Sequence, residues 1–145
     1  MALRRRARSF ALQMLFQWEV SRADPKVIEE GFWARAHSEK NTRTFANELF
    51  EGAAAGAVEL DELLAANTQN WRAERLASTD RAILRLAAYE LRAGKTPPKV
   101  VMNEAIELAK EFSSEDAARF INGVLDAVAR ALGKTSDATQ SAARG

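Results

Sequence analysis

Apolar residues recur at helical spacing along almost the whole chain. In the first segment, about residues 4–21, they lie three, four and seven positions apart, with arginine and glutamine between them. The apolar positions of this segment are Ala11, Met14, Leu15 and Trp18. Clean two-residue alternation, the pattern of a half-buried strand, is found in none of the segments. The periodicity therefore predicts an all-α fold.

Turn and capping residues divide the first half of the chain into helices. Asp24 and Pro25 predict the start of a second helix, because Asp is a good N-cap and Pro suits the first turn. A polar loop at residues 37–41 precedes a third helix. Gly52 and Gly56 then predict close helix packing or a break before a fourth helix.

The second half carries a similar set of signals. Ser78 or Thr79 predicts the N-cap of a fifth helix, which Gly94 ends. Its apolar stripe consists of Ile83, Leu84, Ala87 and Leu91. A Pro pair opens a sixth helix, whose stripe consists of Val101, Ala105, Leu108 and Phe112. Ser113 and Asp116 have the spacing of a capping box and predict the start of a seventh helix.

Length and composition predict one domain. A chain of 145 residues, of which 47% are hydrophobic, can bury a core of its own. We expect the domain to cover residues 1–134, with two halves at about 1–66 and 76–133 and a linker at 67–75. Residues 135–145 contain no large apolar side chain, so this tail is predicted to be disordered.

Composition argues against several classes of function. Cysteine is absent, which excludes a disulfide, a thiolate nucleophile and a thiolate-ligated metal. The one histidine, His37, lies in a polar segment without a nucleophile elbow, so we predict no catalytic residue, no metal site and no cofactor. No apolar run reaches the roughly 18–20 residues that span a bilayer, and no secretory cleavage pattern follows the first helix. We therefore expect a cytoplasmic protein that is not an enzyme.

The start of the chain is strongly basic. Residues 1–22 carry five Arg and one Glu, whereas the whole protein has a net charge of +1. The four guanidiniums of residues 4–8 repel one another, so this cluster favours a polyanion as its partner. A solvated helix end, a targeting presequence and a membrane-surface anchor are the alternatives for the cluster taken alone.

Two aromatic residues follow on the same helix. Basic side chains near exposed rings suit unstacked single-stranded bases better than duplex. Trp18 is expected to pack in the core, whereas Phe16 suits either the core or the surface. Glu104 lies beside the apolar stripe of its helix, where we expect it to pair with Arg85 or to cap a neighbouring helix.

Four motifs, in order and at the expected spacing, are similar to those of one protein family. The first is the arginine cluster followed by Ala11-Leu12-Gln13. The others are DRAILRLAAYEL at 80–91, NEAIELAK at 103–110 and FINGVLD at 120–126. Together they resemble the NusB family of bacterial transcription antitermination factors over about residues 3–133.

The resemblance implies a fold and a function. The fold is a single NusB-type helical bundle of two antiparallel helical subdomains. Family members bind the boxA element of ribosomal RNA leader transcripts together with NusE, a small-subunit ribosomal protein, and help RNA polymerase to pass terminators. The partners implied are therefore single-stranded boxA-type RNA, NusE and the RNA polymerase antitermination complex, with no membrane.

The resemblance also implies roles for individual residues. The arginine-rich start is the RNA-contacting element, which gives that role to Arg4, Arg5, Arg6 and Arg8. An RNA-contacting aromatic of the first helix corresponds to Phe16, which lacks the hydroxyl of the tyrosine found in many members. Asp116 matches a position near the RNA, where a carboxylate modulates affinity by weakening phosphate binding. NusE docks on the second half, where the candidate contacts are Asp80, Ile83 and Leu84.

Two other functions are open at this point. The same helical domain forms the RNA-binding part of a ribosomal RNA cytosine methyltransferase family, which would need a catalytic cysteine and a cofactor domain besides. A basic amphipathic first helix would also suit a membrane-surface protein. Some relatives form homodimers that cover the arginine-rich face, so both a monomer and a homodimer are compatible with the resemblance.

Overall fold

The chain forms seven helices in a computed structural model that describes residues 2–69 and 76–133. The helices are α1 (Ala2–Ser21), α2 (Pro25–Arg35), α3 (Lys40–Ala55), α4 (Ala57–Ala66), α5 (Ser78–Ala93), α6 (Pro98–Phe112) and α7 (Glu115–Ala131). These described ranges contain no strand, which confirms the prediction of an all-α fold. None of the helices in them has the length and apolar character needed to cross a membrane.

Several helix ends follow the predicted signals. The Asp24 side chain accepts a hydrogen bond of 2.8 Å from the Lys26 backbone nitrogen, and Pro25 is the first residue of α2. Gly94 ends α5 in the left-handed conformation, with φ of 73°. This conformation suits glycine because it has no Cβ to clash with the backbone.

Two predicted caps are wrong. The residue before α5 is Ala77, whose side chain cannot cap, and Ser78 and Thr79 lie inside the helix. The cap of α7 is Ser114, whose hydroxyl accepts a 3.0 Å hydrogen bond from the Ala117 nitrogen. Ser113 instead ends α6, so the capping box that its spacing suggested does not form.

The central element is α5, against which α1, α3, α4, α6 and α7 all pack. The sequence predicted one apolar stripe on α5, but seven consecutive residues, Ala82–Ala88, are buried. A helix surrounded by neighbours buries every face rather than one. The elements of both halves of the chain therefore share one hydrophobic core.

Two glycines set the geometry between α3 and its neighbours. A Cβ on Gly52 would lie 2.2 Å from Cζ of Tyr89, so only glycine lets α5 approach α3 at this point. Gly56 separates α3 from α4 and lies beside the Arg92 side chain. Close packing and a helix break were the two alternatives predicted for these glycines. Close packing occurs at Gly52, and the helix break occurs at Gly56.

We expect Gly52→Ala to lower the free energy of unfolding by about 1–3 kcal/mol, because the new methyl group must displace the Tyr89 ring. Gly31→Ala on α2 is the matched control: its Cβ would meet no atom within 4 Å, so stability should stay the same or rise by up to about 1 kcal/mol. Urea unfolding followed by circular dichroism measures both. Equal effects of the two substitutions would contradict the close approach of α3 and α5.

Candidate nucleic-acid interface

The four arginines at the start of α1 lie in different environments, because successive residues of a helix are about 100° apart. Arg8 is 3% exposed and forms a bidentate ion pair with Glu90 of α5. Its Nε and Nη2 donate to the two carboxylate oxygens over 2.8 and 2.9 Å. The expectation that Arg8 contacts RNA is therefore wrong, since its guanidinium is buried and both of these nitrogens are engaged.

Arg5 is held by a second carboxylate but stays accessible. Its Nε and Nη2 donate to Glu104 of α6 over 3.1 and 2.8 Å, while 56% of the Arg5 side chain is exposed. The hydrogen bonds from Arg5 hold the pKa of Glu104 below its usual range, against the opposing effect of burial, and the charge of Arg8 adds to this effect. The same contact raises the pKa of Arg5. Two of the four basic side chains thus attach α1 to the second half of the chain.

The predicted pairing of Glu104 with Arg85 is wrong. Arg85 binds Asp61 of α4 in a bidentate pair with two distances of 2.7 Å, and its Nη1 lies 3.2 Å from the Glu19 carboxylate of α1. This pairing raises the pKa of Arg85. Arg81, one turn earlier, donates from Nε to Glu19. These ions join the far end of α1 to α4 and α5.

Arg4 and Arg6 are exposed, and no carboxylate pairs with either of them in the described part of the chain. The Arg4 guanidinium lies 4.3 Å from the centroid of the Phe45 ring on α3, beside a small cleft that Asn41 and Thr42 also line. Arg6 lies 5.9 Å from the ring of Phe10. These two guanidiniums can bind a phosphate without first releasing a carboxylate.

Phe16 lies at the surface, which decides between its two predicted positions. It is 41% exposed and lines a cleft of about 400 Å³ with Phe112 of α6, which is 36% exposed. The periodicity of α6 had placed Phe112 in the buried stripe. Trp18 packs against the core, as expected, and the Arg22 guanidinium lies 4.5 Å from the centroid of its ring.

One further exposed aromatic, Phe120 on α7, was not recognised from the sequence. It is 41% exposed, and its signal is an apolar residue that falls beside the stripe of Ile121 and Val124 rather than on it. Asp116 lies one turn earlier on α7, is exposed, and forms an ion pair with Arg119. The negative charge expected to weaken phosphate binding is thus partly balanced by its neighbour.

The predicted partner contacts on α5 separate into two kinds. Asp80 is half-buried in the first turn, and one of its carboxylate oxygens is buried without a hydrogen-bond partner among the described residues. Ile83 and Leu84 are completely buried in the core, so their side chains cannot contact a partner. The prediction for these two residues is wrong because α5 is covered on all sides.

In residues 2–69 and 76–133, no group of three or more His, Cys, Asp or Glu could hold a metal ion.

The fold and the site together define an all-α protein with a partly paired basic helix start beside exposed aromatic side chains. Comparison with known proteins identifies the family within this class, since residues 5–130 match the model of the NusB family. The transcription antitermination protein NusB of Koribacter versatilis (strain Ellin345) is 46% identical over 131 residues, covering 89% of this chain and 90% of that protein. The chain belongs to the NusB family, as the four motifs indicated.

Solved structures agree with this assignment. NusB of T. maritima is similar with a TM-score of 0.78 and 34% identity, covering 88% of this chain and 90% of that chain. A chain from the crystal structure of antitermination factors NusB and NusE in complex with dsRNA is similar with a TM-score of 0.82 and 26% identity, covering 90% and 98%. The names of these relatives describe transcription antitermination.

We expect Arg8→Met to lower the free energy of unfolding by about 3–5 kcal/mol, because Glu90 would keep a buried charge without its partner. Arg6→Met is the matched control and should change stability by no more than about 0.5 kcal/mol, since Arg6 is exposed. Urea unfolding of both variants gives the comparison. Adding Glu90→Gln to Arg8→Met should restore part of the loss, and a double variant no more stable than the single one would argue against the pair as the cause.

Proposed function

We propose that this protein is an RNA-binding transcription antitermination factor that recognises a boxA-type element of ribosomal RNA leader transcripts together with NusE. The observation that carries the proposal is the pair of exposed guanidiniums of Arg4 and Arg6, which no carboxylate of residues 2–69 and 76–133 pairs, at the start of a helix whose next turns present the Phe16 ring. Phosphate groups bind such guanidiniums, and bases stack on such rings. Under this proposal, the protein and NusE act together in the cytoplasm on nascent transcripts and help RNA polymerase to pass terminators.

Arg5 takes part in a different way from Arg4 and Arg6. Its contact with Glu104 uses Nε and Nη2, and more than half of the side chain remains exposed. A phosphate on this exposed side would therefore meet a guanidinium that is already oriented. Arg8 contributes indirectly by holding α1 against α5 at a fixed rotation.

NusE is proposed to dock near the start of α5. The solved relative that contains NusB together with NusE supports a protein partner for this family. Asp80 is half-buried in the first turn of α5, so the accessible part of its carboxylate side chain can meet a cationic or donor group of a partner.

We expect the double variant Arg4→Ala/Arg6→Ala to bind a single-stranded boxA-type RNA more weakly and with a flatter salt dependence. Each lost phosphate contact with a single strand removes about 0.7 from the slope of log affinity against log salt, or about 1.4 for two. Melting temperature should hardly change, because both side chains are exposed and neither forms an ion pair with another described residue. Fluorescence anisotropy over a series of salt concentrations measures the slope.

Four controls accompany this measurement. Arg22→Gly removes a positive charge just after the end of α1, roughly 27 Å from Arg4, at a residue whose φ of 57° suits glycine, and should leave the slope unchanged. A duplex of the same sequence tests the preference for a single strand, and light scattering tests whether the protein is a monomer or a homodimer. Anionic vesicles test the membrane-surface alternative: binding to vesicles with no binding to either RNA would overturn the proposal.

We expect Asp80→Lys to weaken the binding of NusE while leaving the binding of RNA alone nearly intact. The substitution reverses a charge at the proposed contact, and Asp80 itself does not line the cleft beside Phe16. It should also lower stability by about 0.3–1 kcal/mol, because an acidic residue in the first turn favours the α5 dipole. Titration calorimetry with purified NusE measures the partner, and Asp80→Asn separates loss of charge from reversal. Equal loss of both activities, or of neither, would remove Asp80 from the partner contact.

A further inference from the structure

Two carboxylates meet one lysine where α2 packs on α3. Lys26 of α2 donates from Nζ to Oε2 of Glu51 on α3 over 2.9 Å, and the same nitrogen lies 3.6 Å from Oε1 of Glu29 on α2. The Lys26 and Glu51 side chains are both accessible to solvent, whereas Glu29 is only 6% exposed. One ammonium group is therefore shared by two carboxylates, and one of these two is buried.

The second oxygen of Glu29 has no donor. Its Oε2 is buried and accepts no hydrogen bond from any residue in the described ranges 2–69 and 76–133. An unpaired buried acceptor is costly, and a full negative charge on it costs more. A proton on Glu29 removes both penalties, because the carboxyl group becomes neutral and gains an O–H that can donate to the Glu51 carboxylate.

The charges next to Glu29 favour this proton. Burial raises the pKa of Glu29 to about 7, the hydrogen bond with Glu51 and the charge of Glu51 add to the effect, and Lys26 opposes it. The hydrogen bond with Glu29 lowers the pKa of Glu51, and Lys26 lowers it further. The proton of the pair therefore stays on the buried partner, and the charge stays on the accessible one.

Other ionisable side chains near this contact are exposed or bound elsewhere. The remaining ones on α2 and α3 are all exposed, and they are Glu30, Arg35, Lys40, Arg43 and Glu48. Asp24, just before α2, is exposed and caps that helix. The charged side chains of α1, which also packs on α2, contact α3, α5, α6 or the Phe10 ring of α1 itself: Arg4, Arg5, Arg6, Arg8 and Glu19.

We propose that Glu29 and Glu51 share one proton and form a pH-sensitive clamp that holds α2 on α3. When the pH rises, the Glu29 O–H gives its proton to water and leaves two facing carboxylates with Lys26 between them. Their repulsion and the uncompensated buried charge then weaken the contact between the two helices. The inference does not rest on the proposed function, because neither RNA nor NusE was assigned to these three residues.

The direction of the pH effect follows from the two states of Glu29. Its pKa is about 7 in the folded protein and near the ordinary 4.5 in the unfolded chain, so folding strengthens the binding of the proton. The stability that the clamp adds is complete below about pH 4.5 and is lost as the pH rises through about 7. Across this window the unfolding constant should rise by up to about tenfold per pH unit. The lowered pKa of Glu51 acts with the opposite sign and only at more acidic pH.

Carboxyl carbon NMR of the whole protein, from about pH 4 to 9, measures the proton directly. Glu29 should titrate with a midpoint near pH 7, and the backbone amides of α2 should follow the same midpoint. Lys26→Met should raise the midpoint, because the ammonium opposes the proton, and Glu51→Gln should lower it, because the second negative charge is removed. Glu30→Gln is the matched control: this exposed neighbour on α2 should leave the midpoint unchanged.

Urea unfolding of the wild type and of Glu29→Gln, which stays neutral at every pH, measures the effect on stability. The two proteins should have similar unfolding constants at about pH 5, and the wild type should unfold about tenfold or more readily at about pH 8. A ratio that is the same at both pH values would overturn the clamp, and so would a Glu29 midpoint near the ordinary 4.5. If Lys26→Met and Glu51→Gln move the midpoint in the same direction, the proton is not shared and the inference fails.

Discussion

The buried ion pair between Arg8 and Glu90 fixes the first helix on the rest of the molecule. Both side chains are almost fully buried and meet through two hydrogen bonds, so neither can leave without stranding a charge in the core. Because the helix is rigid, this one contact also determines its rotation. The same rotation places Arg5 on Glu104, Arg4 over the ring of Phe45, and Arg6 in solvent.

A comparison of two buried glutamates shows how a neighbouring arginine changes the pKa of a carboxyl group. Glu104 has its pKa lowered by the hydrogen bonds from Arg5 and stays ionised. Glu29 of α2 is buried to a similar degree, but burial and the neighbouring Glu51 raise its pKa to about 7, and Lys26 at 3.6 Å offsets this only in part. A well-placed guanidinium therefore converts a costly buried carboxylate into a firm anchor for α1.

Local signals in the sequence predicted the fold better than the site. Helical periodicity, the Asp24 cap and the Gly94 terminus depend on neighbours in the chain, and the structure confirms them. The burial of Arg8 depends on a carboxylate 82 residues away, which no local pattern contains. Periodicity correctly placed Ile83 and Leu84 on the apolar stripe of α5, so their burial contradicts only the partner contact that was assigned to them. Phe112 is different, because periodicity says which residues of a helix are apolar but not whether neighbouring helices cover the last turn of α6.

The distance in sequence between these partners also affects how the protein is made. Packing of α1 on α3 becomes available once α3 has emerged, but Glu90 and Glu104 follow Arg8 and Arg5 by 82 and 99 residues. At a synthesis rate of about 5–20 residues per second, roughly 4–16 s pass before Arg8 can meet its carboxylate. During that interval the nascent chain carries the four guanidiniums with neither carboxylate yet made, next to the RNA of the ribosome that synthesises it. Once α5 and α6 are complete, Glu90 and Glu104 pair with Arg8 and Arg5. The positive charge still accessible at the start of α1 is then that of Arg4, Arg6 and the outer side of Arg5.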